Sequence, residues 1–254
     1  MIKKEHEFYE KIKDWDFSHI KVTKENLTNW DMYKILRDNA NAETIALDLG
    51  TGGCENVIKH YPNVKMVTAT DISPSMIETA EENIIESGRK DITLKVMDNL
   101  NMDVPKNYFD IVTARHTIID AKQIYESLKK DGILIVRGVD KLDCWKLKRM
   151  FGKGQGYKDL KPISLIDYEN ILDAGFRETE LVPIHVREYY ETIEDLYALL
   201  NKTPILDDFS EEHGYFKKAQ EHLDENTLKK YADENKTDKG ILLIRRYYGI
   251  VAKK

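Results

Sequence analysis

Between about residues 44 and 138 the chain alternates short apolar runs with amphipathic stretches. The runs are Thr44–Leu49, Lys65–Thr70, Ile92–Met97, Phe109–Ala114 and Gly132–Gly138. Runs this short and this uniformly apolar suit strands buried on both faces, as in a parallel sheet. Between them lie helical patterns. Pro74–Ser87 has Ser73 as its cap, Pro74 at the first helical position and Gly88 at its end. Ile119–Lys130 is the next helix, and Asp131-Gly132 stops it before the following strand. Strand–helix–strand repetition with right-handed crossovers predicts a doubly wound α/β fold.

The pattern changes after residue 140. Ser164–Ala174 reads as a helix ended by Gly175, Phe176–Ile184 as a strand, and Gly240–Ala252 as a long terminal strand. The polar stretch from 192 to 238 has a helical pattern, with ten acids against seven bases over 201–239. It reads as an insertion between two strands and a lid or wall over a ligand, with Tyr197, Phe209, Tyr215 and Phe216 as its aromatic residues and Tyr189 and Tyr190 either joining it or sitting in the core. Residues 1–43 read as a helical cap, with Trp15, Phe17, Trp30 and Tyr33 available to pack over the sheet. The expectation is a single domain over 1–254, with a Rossmann-like core at 44–191 and 239–254.

Composition narrows the class without naming a function. The chain has 254 residues, 41% of them hydrophobic, enough for a sizeable core. A net charge of −6 argues against a surface generally coated with nucleic acid. Two cysteines, Cys54 and Cys144, make neither a disulfide framework nor a four-cysteine zinc site, and no metal site is expected. No apolar run reaches the length of a signal peptide or a membrane span. The expectation is a soluble, reduced, cytoplasmic protein.

The first strand ends in Asp48-Leu49-Gly50-Thr51-Gly52-Gly53 and runs into a helix. Glycines let such a turn approach a ligand closely, and the helix start adds N–H groups. The dinucleotide fingerprint requires a glycine where Glu55 stands, which puts a carboxylate where a pyrophosphate would sit. Asp71, ending the second strand 21 residues after Gly50, suits ribose hydroxyls. A ligand with a ribose and no pyrophosphate fits best.

Taken together, LDLGTGG at 47–53, TATDISPSMIETA at 68–80, Asp98 after the third strand and LKKDGILIV at 128–136 resemble the class I S-adenosylmethionine-dependent methyltransferases. The resemblance covers about 44–138. It implies a mostly parallel seven-stranded sheet with an antiparallel last strand, and S-adenosylmethionine as cofactor. It implies that Asp48 and the glycine loop (Gly50, Thr51, Gly52) approach the methionine part, that Asp71 binds the ribose hydroxyls and that Asp98 meets the adenine amine, with backbone groups of Met97 or Asn99 as the alternative to Asp98; Ile72 and Asn99 are counted with the expected cofactor residues. One departure is Cys54, at the third glycine of the family's G-x-G-x-G. WDF at 15–17, Trp30-Asp31 and Arg115-His116 also resemble a little-characterised bacterial branch of these enzymes.

Methyl transfer from a sulfonium requires an aligned acceptor, a dry site and sometimes a proton acceptor. Arg115 and His116 follow the fourth strand at the edge where open α/β sheets bind ligands. His116 is the candidate base or acceptor-orienting group; bonding to Asp120 or the backbone is the structural alternative. Arg115 suits the cofactor edge or an acidic acceptor, or else pairing with Asp110 or Asp120. Cys144 in LDCWK lacks the setting of a nucleophile, and TARHTIID is not the Asn/Asp-Pro-Pro-aromatic motif of exocyclic-amine methyltransferases. Segment 141–161 holds seven Lys/Arg against two acids, a phosphate-tracking patch or a solvated loop. The expected function is methyl transfer to a small molecule. RNA methylation through 141–161 and cofactor binding without methyl transfer are the alternatives.

Overall fold

The computed structural model describes residues 17–206 and 218–254; Trp15, Phe209, Tyr215 and Phe216 lie outside them. The strands are β1 (Val22–Asn26), β2 (Ile45–Leu49), β3 (Met66–Asp71), β4 (Ile92–Val96), β5 (Phe109–Arg115), β6 (Leu128–Val139), β7 (Arg177–Tyr190), β8 (Lys236–Thr237) and β9 (Gly240–Lys253). The helices are α1 (Met32–Asn39), α2 (Glu55–His60), α3 (Pro74–Ser87), α4 (Ala121–Ser127), α5 (Trp145–Phe151), α6 (Ile163–Asp173), α7 (Ile193–Lys202) and α8 (Lys218–Glu234). The chain divides into two compact units, and β7 and β9 each contribute residues to both.

The core unit comprises 30–139, 163–183 and 248–254. Its strands run in the order β4–β3–β2–β5–β6, followed by its shares of β9 and β7. The pairs from β4 to β6 are parallel, with Asp48 opposite both Ala69 and Thr113. Strand β9 runs the other way against β6. Asp131 pairs with Lys254 at one end, and at the other the Tyr248 ring packs so closely on Gly138 that a Cβ there would collide with it. Apolar clusters cover the sheet, one including Leu47, Val112, Leu134 and Phe176, the other Ala46, Val67, Ile111 and Ile135. Continuous burial along β2 and β5 is why those strands read as unbroken apolar runs.

Local chemistry sets the boundaries. Ser73 Oγ accepts from Met76 N, Pro74 opens α3, and Gly88 closes it at φ +70°. Helix α1 is capped by Asp31, whose Oδ1 accepts from Tyr33 N at 2.8 Å and Lys34 N at 3.1 Å. The Trp30 indole packs on Gly249, leaving no room for a Cβ. The helix expected over 119–130 is shorter, because Leu128 pairs with Phe109 and the chain is already extended there. Asp131, at φ +64°, takes up the irregularity.

The accessory unit takes in the described parts of 1–29, 140–162 and 184–247. Its strand order is β1–β7–β9, with β8 on β9. Within 1–43, where only helix is expected, Val22–Asn26 forms a strand antiparallel to β7, Val22 opposite Tyr190 and Asn26 opposite Val186. Helices α7 and α8 fall in the stretch read as a helical insertion. A core of Leu147, Tyr190, Leu196, Leu200, Leu228, Tyr231 and Leu243 holds the unit together, with Tyr197 and Phe17 packed against it. Tyr189 and Tyr190 are buried strand residues of this unit. Among the described residues no helix is long and apolar enough to cross a membrane.

Candidate functional site

The carboxyl ends of β2, β3, β4 and β5 all point to one edge of the core unit's sheet, and the loops that follow them interlock. Gly50 and Gly52 sit at φ +71° and +58°, a region open to glycine at little cost. A Cβ at Gly52 would meet nothing within 4 Å, so that backbone faces open space; one at Gly50 would meet the Thr117 side chain at 2.7 Å. Thr117, from the loop after β5, therefore covers the glycine turn. Its Oγ1 also accepts from Asn99 Nδ2 at 2.9 Å, tying in the loop after β4. Cys54, in the third-glycine position, also adopts a left-handed backbone at φ +66° and is fully buried. Burial pushes its thiol up to about 12, so it remains a neutral packing group.

Asp71 joins two loops. Its Oδ2 accepts from Gly52 N and its Oδ1 from Ser73 N, both at 2.9 Å. Each oxygen retains a lone pair, and the carboxylate is only partly buried, which suits a vicinal diol. Asp48 lies deeper. Tyr61 Oη donates to its Oδ1 at 2.8 Å and Thr113 Oγ1 at 2.5 Å. Burial pushes its carboxyl up, against the pull of the Thr113 and Tyr61 bonds. Tyr33 stacks on His60 at 4.4 Å, and burial raises its hydroxyl in the fields of Arg115, Asp48 and Arg137.

At the loop after β4 the two expected residues differ. Asp98 is exposed, and its Oδ1 accepts from Leu100 N at 2.9 Å. Asn99 is buried; Nδ2 donates to Thr117 Oγ1 and to Ile118 O at 3.2 Å, while Oδ1 has no hydrogen-bond partner among the described residues. A buried acceptor without a donor is costly, and a ligand N–H would satisfy it. In the loops that follow β3, β4 and β5, Ile72, Leu100 and Ile118 are exposed at 40–42% although large and apolar. An apolar wall beside an unmet acceptor suits a flat heterocycle carrying an amine.

At the end of β5, Arg115 pairs in register with Arg137 of β6. Asp110 is bound by Lys129 at 2.8 Å and Asp120 caps α4, so neither is Arg115's partner. His116 is exposed at φ +54°, and its Nε2 meets Arg137 Nη1 at 2.6 Å. The structure thus brings together Asp48, Gly50, Thr51, Gly52, Asp71, Ile72, Asn99, Arg115 and His116 on one sheet edge. Tyr61, Thr113, Thr117 and Arg137 were missed. Thr113 lies inside an apolar run, and the other three carry no local motif.

Elsewhere the candidates fall away. The crevice lined by Asn41, Asp110, Lys129 and Asp131 lies at the amino ends of the strands, with the Lys129–Asp110 ion pair within it. In the basic segment Lys148 is buried, and its Nζ donates to Gln155 O at 2.7 Å. Lys146 pairs with Glu234 at 3.7 Å, and Lys141 bonds Asp159 O. Reading all seven bases as a phosphate track is corrected at Lys148, whose stem belongs to the accessory unit's interior. Cys144 is buried, its Sγ donating to Asp143 Oδ2 at 3.5 Å, and burial lifts its thiol well above the usual range. Among the described residues no group of three His, Cys, Asp or Glu is spaced for a metal ion.

Residues 46–132 match a family model described as a methyltransferase domain. A ribosomal protein L11 methyltransferase of Lactobacillus delbrueckii subsp. bulgaricus is 33% identical over 139 residues, 53% of this chain and 43% of that one. The chain thus spans under half the length of the curated relatives it matches. In three dimensions a Bacillus halodurans protein provisionally named a methyltransferase aligns with TM-score 0.57 at 19% identity, covering 88% of this chain and 97% of that one. Phosphoethanolamine N-methyltransferase 2 of Haemonchus contortus, solved with S-adenosyl-L-methionine, aligns with TM-score 0.52 at 18% identity, covering 88% and 52%.

Proposed function

We propose, from the premise that this chain carries a class I S-adenosylmethionine-dependent methyltransferase domain, that it is an enzyme transferring a methyl group from S-adenosylmethionine to a small-molecule acceptor. The observation that carries the cofactor assignment is the set of unmet groups on one sheet edge. Asp71 offers acceptor lone pairs to a ribose diol, Gly52 leaves its backbone open, and Asn99 Oδ1 awaits a donor such as an adenine amine. Ile72, Leu100 and Ile118 supply the apolar wall for the ring. Asp48 braces the glycine loop from beneath through Tyr61 and Thr113, and Thr51 and Asp98 belong to the same loops.

When bound, S-adenosylmethionine supplies an activated methyl on a sulfonium, displaced in line by the acceptor. The chain's work is alignment and exclusion of water. Thr117 closes over Gly50, and Arg115 and His116 stand beside it on the acceptor side, where His116 orients the acceptor. A small acceptor is favoured over RNA because the basic segment uses Lys141, Lys146 and Lys148 for internal bonds. A protein acceptor is the second reading, favoured by the name of the Lactobacillus relatives.

The test is transfer of labelled methyl groups from S-adenosylmethionine into a cellular extract separated into small-molecule, RNA and protein fractions. Label in the small-molecule fraction is the expected result. Label in protein or RNA moves the acceptor class. Binding of S-adenosylhomocysteine by calorimetry with no labelled fraction leaves a cofactor-binding protein that transfers no methyl, and absence of binding removes the cofactor assignment.

A further inference from the structure

Two neighbouring strands of the core unit end one face of the sheet in cations. Successive side chains of a strand point to opposite faces, so Ile111, Thr113 and Arg115 of β5 share a face, as do Ile135 and Arg137 of β6. Ile111 and Ile135 lie in the apolar cluster that α1 covers with Met32 and Leu36, and Thr113 meets Asp48 there. Arg115 therefore emerges at the carboxyl end of that face, opposite Arg137. Tyr33 of α1 packs against the same cluster, its ring stacked on His60 and 6.5 Å from Tyr61. Arg115 acts electrostatically on Tyr33, Asp48 and His60, which places its guanidinium among them.

Two of these groups are short of partners. Among the described residues the Arg115 guanidinium makes no hydrogen bond or ion pair, and the Tyr33 hydroxyl makes no hydrogen bond. Both residues are partly buried. Asp48 sits deeper, where Tyr61 and Thr113 bind it. A guanidinium that gives up part of its water without an acceptor in return is destabilised, and ligand oxygens restore its bonds. Its planar fork matches the two oxygens of a carboxylate, to which a tyrosine hydroxyl adds another donor. Arg137 keeps its charge whatever it binds, so it adds to the attraction for an anion and the repulsion of an ammonium. S-adenosylmethionine is itself a sulfonium, so a cationic acceptor would approach against like charge and an anionic one with the field.

We propose that Arg115, with the Tyr33 hydroxyl as a second donor, binds a carboxylate of the acceptor, so that the substrates are small carboxylic acids. That the bound acid receives a methyl group rests on the methyltransferase reading above; the carboxylate site does not. The carboxylate is the handle by which the acceptor is held. A guanidinium bound to it draws charge from its oxygens, so the methyl group goes to another atom of the same molecule.

The first arm of the test is independent of activity. Protein saturated with S-adenosylhomocysteine and labelled with nitrogen-15 at arginine is titrated with sodium acetate, replacing sodium chloride at constant ionic strength. The Arg115 Nε–H resonance, assigned by its absence in Arg115→Gln, is expected to shift saturably. In Tyr33→Phe the acetate affinity should fall about threefold or more. No saturable shift overturns the site, and an unchanged affinity in Tyr33→Phe removes Tyr33 from it.

The second arm separates the acceptor from the cofactor, whose methionine end also has a carboxylate. Arg115→Gln should bind S-adenosylhomocysteine within about twofold of wild type, which also checks that the variant folds. A larger loss with methylthioadenosine binding unchanged would give the guanidinium to the cofactor's carboxylate and overturn the proposal. The third arm uses whichever extract fraction accepts label. Carbodiimide amidation of its carboxylates should abolish labelling, and Arg115→Gln should need about tenfold more of the untreated fraction for half-maximal rate, with the maximal rate within about threefold. Label persisting after amidation overturns the proposal. If no fraction accepts label, the methyltransferase reading fails while the acetate titration still decides the carboxylate site.

Discussion

Each unit buries a carboxylate that accepts from a tyrosine hydroxyl, yet the two carboxylates are shifted in opposite directions. In the accessory unit Glu188 is bonded by Tyr190 Oη at 2.6 Å, and burial alone would raise it. Arg245 Nη1 at 3.2 Å and Lys24 at 3.1 Å reverse the sign and hold it below the usual range. In the core unit Asp167 is bonded by Tyr248 Oη without a cation, and burial pushes it up to about 6. The same contrast runs through the wider clusters. Asp143, with no exposed surface, accepts from Arg245 Nε at 3.0 and 3.2 Å, Nη2 at 3.1 Å and Arg246 N at 2.7 Å. At the glycine-loop edge, among the described residues, Asp71 has only backbone donors and Asn99 Oδ1 has none. A closed network holds a fold together; polar groups left short of partners mark where a ligand completes them.

The largest expected effect comes from breaking the closed network. Asp143→Ala leaves Arg245 buried with Glu188 as its carboxylate partner and should cost about 3–5 kcal/mol in a urea unfolding curve. A loss below about 1 kcal/mol would mean that the network is as loosely held as a surface ion pair. Next is Asp71→Ala, expected to weaken S-adenosylhomocysteine binding about 30- to 100-fold in calorimetry, because charge-assisted bonds and two loop anchors are lost together. Undiminished affinity would move the ribose away from Asp71.

Asp167→Asn tests the contrast through pH. In the folded protein Asp167 keeps its proton up to about pH 6, whereas the unfolded chain releases it near 3.8. Across that window the native state binds more protons, so this group's contribution to stability falls as pH rises and then levels off above about 6. The variant should therefore match wild type near pH 4 and exceed it by about 2 kcal/mol at pH 7. Equal stability at both pH values would show that Asp167 is not held protonated. The smallest effect is expected at the orphaned acceptor. Asn99→Ala should weaken S-adenosylhomocysteine about five- to tenfold, with about 1 kcal/mol lost in stability through Thr117 and Ile118. A stability loss with affinity intact would confine Asn99 to holding the loops.

Much of the core was determined by sequence alone. Strands buried on both faces must be apolar throughout, so β2, β3, β5 and β6 announce themselves, and Ser73-Pro74 and Gly88 bound α3 by local stereochemistry. The glycine loop and Asp71 were legible for the same reason: a left-handed turn needs glycine, and the acid stands at a fixed distance along one βαβ unit. What only the tertiary structure decided depends on residues far apart in the chain. Nothing in the local sequence says that Val22–Asn26 will find β7, since a five-residue strand is stabilised by its partner. Nor does it say that Lys148 is interior while Lys146 and Arg149 face water, or that Thr117 covers Gly50 from 67 residues away. The role of His116 belongs here too. Its type is written in the sequence, but its contact is with Arg137, 21 residues on, and only where β5 and β6 pair in register do the two meet.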